Sequence, residues 1–192
     1  MRGLLALLEL QASRATTRTD AGGNLVLLAD QDRTRWDRAA IARGLAELER
    51  AGPLQHAGPY QLQAAIAACH ARAESWETTD WPAIVAHYDA LAAAAPSPVV
   101  ELNRAVAVGL AHGPAAGLAA LDGADTEALR RYHLLPAARA DFLRRLGRWP
   151  EAAAEYRQAL ALADNARERA FLAARVAACA GGPGDQASGT IA

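Results

Sequence analysis

The chain has 192 residues, 52% hydrophobic and only 5% aromatic, which suits one domain or one repeat array with a small cap, built on aliphatic side chains. Twenty basic residues, all of them arginine, face 21 acidic ones and leave a net charge of −1. That balance speaks against direct DNA binding by this chain and gives no pull toward an anionic membrane.

The N-terminal "MRGLLALLEL" opens a helix over residues 3–16 and does not read as a signal peptide. Glu9 interrupts the apolar run and no small-residue cleavage site follows. Leu4, Leu5, Leu7, Leu8 and Leu10 cover more than half of this helix, so it is either buried on several sides or expects a partner. "TDAGGN", 19–24, is a turn, and "LVLL", 25–28, is short enough to be extended. Then "LADQDRTRWD", 28–37, sets Asp30, Asp32, Arg33, Arg35 and Asp37 around Trp36. A helix over 36–50 follows, with Ile41, Leu45 and Leu48 on one face and Gly52-Pro53 at its end. Residues 55–59 form a linker.

Beyond the linker the chain repeats with a period of 34: Trp81, Ala115 and Trp149 share that spacing, as do Ile84, Leu118 and Ala152. The pattern predicts helix pairs over 60–76 and 80–94, 98–111 and 114–122, and 132–146 and 150–163, with a closing helix over 165–180. A helix–turn–helix unit of this period is the signature of the tetratricopeptide repeat. It is clearest in 132–166, where small residues (Ala140, Ala152, Ala159) sit at the helix crossing beside Gly147, Trp149 and Tyr156. The middle unit lacks both aromatics, and the first carries an inserted "ESWETTD". The predicted fold class is therefore all-α: a tetratricopeptide-like helical repeat array, an α-α superhelix, with an N-terminal helical cap. Its parts are a cap with a charged connector over 1–54, repeats and a closing helix over 55–180, and a disordered Gly-rich tail over 181–192.

Little in the chain points to catalysis. Cys69 and Cys179 form no CxxC pair or disulfide framework, which fits a reducing cytoplasm. Adjacent Cys69 and His70 point about 100° apart on a helix and cannot share a metal unaided. No metal-binding, phosphate-binding or nucleophile motif occurs, and no cofactor is implied. Glu74, Glu77 and Asp80 cluster around Trp76 and Trp81, but Thr79 or Asp80 before Trp81-Pro82 reads better as a helix N-cap with proline in the first turn. On the inner face of the array, Asp141, Arg144 and Arg145 of the last unit and Asn103 and Arg104 of the unit before would line a concave groove, where arginine forks suit an acidic peptide. Solvated helix surface is the plainer alternative for these residues.

Four stretches in order, "LVLLADQDRTRWD", "GPYQLQAAIAA", "SPVVELNRAVAV" and "YHLLPAARADFL", carry a more specific resemblance. Over residues 3 to about 178 the chain resembles the long C-terminal extension of a group of bacterial extracytoplasmic-function (ECF) sigma factors. In that family a promoter-recognising module lies upstream and the extension is implied to control it. This chain lacks that module, and "GLLALLELQASRA" resembles the joint between the two parts. The resemblance implies a cytoplasmic, non-enzymatic regulatory domain that contacts the sigma module or RNA polymerase and so sets promoter-specific transcription. The connector residues Asp30, Asp32, Arg33, Arg35 and Trp36 would then be an ordered link or a docking surface. A capped helix start, with Asp30 or Asp32 at the positive end of the helix near Trp36, explains them equally well. The surplus leucines of the first helix would be covered by the absent module. The alternative function is a free-standing adaptor that holds a peptide or partner protein in the groove.

Overall fold

A computed structural model of the chain describes residues 1–53, 57–124 and 127–181. Among these the protein is all-α, with nine α-helices, three short 3-10 turns and no strand. The predicted extended segment is reduced to one isolated antiparallel bridge, Thr19 with Leu25. The expected tail over 181–192 lies outside the described residues apart from Gly181, which ends the last helix, and so do residues 55 and 56 of the 55–59 linker.

Helices α1 (Arg2–Ala12), α2 (Arg38–Arg50) and α3 (Pro59–Arg72) pack together at the N-terminal end. Gly3 and Gly44 make this possible. A Cβ on Gly3 would stand 2.8 Å from the Gln61 backbone, and one on Gly44 would stand 2.7 Å from the Leu10 side chain. α1 stops earlier than the leucine pattern suggests. The Ser13 hydroxyl donates to Leu10 O (2.7 Å), and Ser13 O accepts from Asp37 N (2.8 Å), so the chain leaves the helix there. Asp37 caps α2, its Oδ1 accepting from Ala39 N and Ala40 N.

The repeating part matches the predicted pairs: α3 with α4 (Trp81–Ala94), α5 (Pro98–His112) with α6 (Pro114–Ala124), and α7 (Leu134–Arg145) with α8 (Trp149–Leu162). α9 (Ala166–Gly181) closes the array on α8, and α4 and α6 carry the stacking to the next pair. α3 ends at Arg72, four residues before the predicted end. In the insertion that follows, Thr78 Oγ1 accepts from Ser75 N (3.0 Å) and Thr79 Oγ1 donates to Ser75 O (3.1 Å). Such side-chain bonds offer the backbone a substitute for the helix. Asp80 caps α4 by accepting from Ala83 N (3.0 Å), with Pro82 in the first turn.

Two glycines let α5 and α6 cross closely. A Cβ on Gly117 would come within 2.7 Å of Gly109 Cα, and Phe142 from α7 lies over both glycines. Tyr156 and Ala140, Ala152 and Ala159 are buried in the last pair, as the repeat pattern requires. The loop between α1 and α2 reaches the other end of the array: a side chain at Gly23 would meet the Arg167 guanidinium of α9 at 3.6 Å.

Candidate functional site

The charged connector is a piece of core wiring. Arg33 and Trp36 are only 5% and 4% exposed, which corrects the expectation that they present a docking surface. The Arg33 guanidinium donates to His70 O (2.9 Å), Ala73 O (3.2 Å) and Thr79 Oγ1 (3.1 Å) and lies 5.2 Å from the Trp36 ring centroid. It thereby satisfies carbonyls at the C-terminal end of α3, which have no partner within the helix. Burial draws the Arg33 pKa down and Glu77 opposes the shift. Asp32 caps the 3-10 turn Arg33–Arg35, its Oδ1 accepting from Thr34 N and Oγ1. The helix cap itself is Asp37, and neither Asp30 nor Asp32 takes that place. Asp30 and Arg35 remain exposed; burial pushes the Asp30 carboxyl up, and Arg175 of α9 opposes it.

The predicted groove residues do not form one set. Asp141 is 2% exposed and pairs with Arg144 at 2.8 Å, so its carboxylate serves the interior of α7 and α8. Burial opposes the Arg144 charge, but Asp141 and Tyr156 outweigh it and raise the Arg144 pKa. The Tyr156 phenol is pushed up to about 12, by burial first and Asp141 second. Arg145 is exposed, 6.0 Å from the Phe142 ring centroid. Arg104 is tied to Asp89 (2.5 Å) and reaches Glu101 (4.0 Å). Of the five, Asn103 alone lines a cavity formed between α1, α3, α4 and α5.

That cavity is a half-open cleft of about 420 Å³, within the size range of small-molecule sites. Leu7 and Leu10 of α1, Ile66 of α3, Ile84 and Leu91 of α4 and Val106 of α5 give it apolar walls, and Leu28 and Trp36 of the connector close one side. Gln11, Arg14, Gln63, His70, Tyr88 and Asn103 supply its polar groups. Of these the sequence marks only Asn103, as a groove residue; it gives Arg14, Gln63, His70 and Tyr88 no place in a site. Arg14 does carry a signal, since it follows Leu7 and Leu10 at the i+7 and i+4 spacing that marks an inward helical face.

The electrostatics of the cleft are one-sided. Arg14 donates to Gln11 Oε1 (2.8 Å) and makes no ion pair with a carboxylate among the described residues. Arg18 uses the same amide oxygen (3.0 Å). Burial, then Arg18 and Arg33, lower the Arg14 pKa to about 10, so it stays charged at neutral pH. His70 is held between Trp76, stacked at 6.3 Å, and Trp81, edge-on at 5.3 Å. Burial, helped by Arg33 and Arg14, drops its pKa to about 3 and keeps it neutral. Burial raises the Tyr88 pKa to about 12, leaving a protonated phenol. Two buried nitrogens in the cleft wall, Trp36 Nε1 and His70 Nδ1, have no hydrogen-bond partner among the described residues. An unpaired buried polar group costs about 1–3 kcal/mol, so this wall is incomplete as it stands. Glu74, Glu77 and Asp80 lie outside the lining, and no trio of His, Cys, Asp or Glu among the described residues could hold a metal ion.

Residues 1–52 match a family described as a family of unknown function, DUF6596. Over 172 residues, 90% of its length, the chain is 50% identical to an uncharacterized protein of Rhizobium meliloti (strain 1021). It spans 40% of that relative's length. No solved structure matches the chain, and no helix among the described residues is long and apolar enough to cross a membrane.

Proposed function

We propose that the chain is a protein-binding regulatory domain, the C-terminal extension of an ECF-type sigma factor, acting in the cytoplasm on promoter-specific transcription. The observation that carries the reading is the outer face of α1. Leu4, Leu5 and Leu8 are 38%, 46% and 59% exposed, while Ala6 and Leu10 of the same helix are buried. Adjacent exposed leucines on an ordered helix are a surface that favours cover. Tyr60, also exposed, stands at the end of α3 that α1 meets through Gly3. The occupant is the sigma module: the resemblance sets the joint to such a module in "GLLALLELQASRA", on this same helix, and the similar Rhizobium protein is much longer than this chain. The connector contributes indirectly, by tying α1, α2 and α3 together beneath that face.

The first test is to read the gene upstream of the Arg2 codon. An in-frame sigma module supports the proposal, and an in-frame stop codon overturns it. The second is in vitro transcription by the intact factor carrying Leu5→Glu and Leu8→Glu. Altered promoter-dependent initiation, with the helical fold retained, is expected. Unchanged initiation removes α1 as the docking face.

A further inference from the structure

We propose that the cleft between α1, α3, α4 and α5 is a ligand site for a small amphipathic carboxylate: an apolar body of aliphatic or aromatic carbon ending in a single carboxylate held by Arg14. This goes beyond the transcriptional reading and does not rest on it.

The walls set the body of the ligand. Leu7, Leu10, Ile66, Ile84, Leu91 and Val106 offer no polar partner, so the part of the ligand lying on them is hydrocarbon. The charge sets the head group. The cleft has one guanidinium in its lining and no carboxylate, and the nearby Arg18 and Arg33 add to the positive field. Arg33 itself is committed to α3 and Thr79. Arg14 donates from Nε (3.3 Å) and Nη2 (2.8 Å) to the neutral Gln11 Oε1, which a carboxylate would displace with gain of a charge-assisted pair. One guanidinium matches one carboxylate, whereas a phosphate dianion would call for a second cation. A cationic ligand would meet repulsion with nothing to offset it. The neutral groups set the fit: Gln63 and Asn103 carry amides, the Tyr88 phenol remains protonated, and the unpartnered Trp36 Nε1–H lies in the wall as a donor for a second acceptor atom. Recognition by a charged fork plus neutral donors over an apolar floor is the usual pattern for an organic acid.

The probes are phenylbutyrate and decanoate, with phenylbutyramide and phenylbutylamine as the neutral and cationic counterparts, titrated into the 192-residue chain. Calorimetry gives affinity. Tryptophan fluorescence gives location, because Trp36 and Trp81 line the cleft. The carboxylate is expected to bind at least about tenfold more tightly than its amide, from loss of a charge-assisted bond, and the amine not at all. Arg14→Gln is expected to bring the carboxylate to the affinity of the amide. Asn103→Trp, at an exposed rim position that tolerates bulk, is expected to block both carboxylate scaffolds without loss of helix content. The charge series on the unmodified chain needs no variant to fold. Equal binding of acid and amide would overturn the proposal, as would no binding of either carboxylate at millimolar concentration, or binding that Asn103→Trp leaves unchanged.

Discussion

Replacing Arg33 with leucine separates the two roles considered for the charged connector. In the structure Arg33 donates three hydrogen bonds, two of them to carbonyls at the end of α3, and lies against Trp36. Leucine removes all of these and leaves His70 O and Ala73 O without the arginine in a partly buried setting. Each stranded acceptor costs about 1–3 kcal/mol, and the lost cation–π contact about 0.5–2 kcal/mol. Against this, leucine no longer has to bury a charge, which returns several kcal/mol of desolvation. With the two carbonyls stranded, the balance is a loss of about 1–3 kcal/mol. For a chain of this length that corresponds to a fall in Tm of roughly 2–12 °C. Urea unfolding followed by far-ultraviolet circular dichroism measures it, with Arg35→Leu as the exposed neighbour control, expected to change stability by less than about 0.5 kcal/mol. A loss below about 0.5 kcal/mol for Arg33→Leu would refute the structural role and return this arginine to the set of surface contacts.

Gly109→Ala adds helix propensity worth about 1 kcal/mol, but its Cβ would stand 2.1 Å from Phe142 Cζ, whose ring is 1% exposed and has nowhere to go. Overpacking wins, with a net loss of about 1–3 kcal/mol in denaturant unfolding; Phe142→Leu in the same chain recovers part of it, and strict additivity of the two would exclude the clash. His70 gives a pH dependence. Its pKa falls from 6.5, the value of an unperturbed histidine, to about 3 when folded, so between those values the unfolded chain binds more protons and stability falls as the pH falls. At pH 5 its share is up to about 2 kcal/mol. His70→Leu should flatten the stability profile between about pH 7 and pH 5 relative to the parent, and superimposable profiles would show that His70 titrates normally. Asp141→Asn removes a buried charge from its pair with Arg144 and is expected to cost about 3–5 kcal/mol in urea. Arg145→Glu, on the exposed neighbour, leaves stability within about 0.5 kcal/mol, so any effect of it on capture of an acidic peptide would report the adaptor function alone.

Much of the scaffold is readable in the residues themselves. The apolar period, the Pro and Gly punctuation and the small residues at crossings locate each helix pair, because helix formation and close crossing are local demands on spacing. The caps are partly readable for the same reason: Asp80 is one of the two candidates before Trp81, whereas the reading offers Asp30 or Asp32 for α2 and the cap is Asp37, whose place depends on where α1 releases the chain at Ser13. The early end of α3 is a competition between helix and the Ser75, Thr78 and Thr79 side chains that propensity alone does not decide.

The site is a different matter. A ten-residue run of alternating charge around one tryptophan looks like surface, because charged side chains are seldom buried without partners. The partners of Arg33 are backbone carbonyls at His70 and Ala73, far along the chain and invisible as side-chain chemistry. Asp141 looks like groove lining for the same reason, until α7 and α8 enclose it. The cleft draws on α1, α3, α4 and α5 at once, so neither its volume nor the uncompensated charge of Arg14 exists until those helices meet. Residue spacing is enough to make the chain helical, to pair its helices and to leave a leucine-rich face over on α1. Which charges are buried and which cavity opens follows from the packed helices, because burial and electrostatic compensation depend on neighbours that spacing along the chain does not specify.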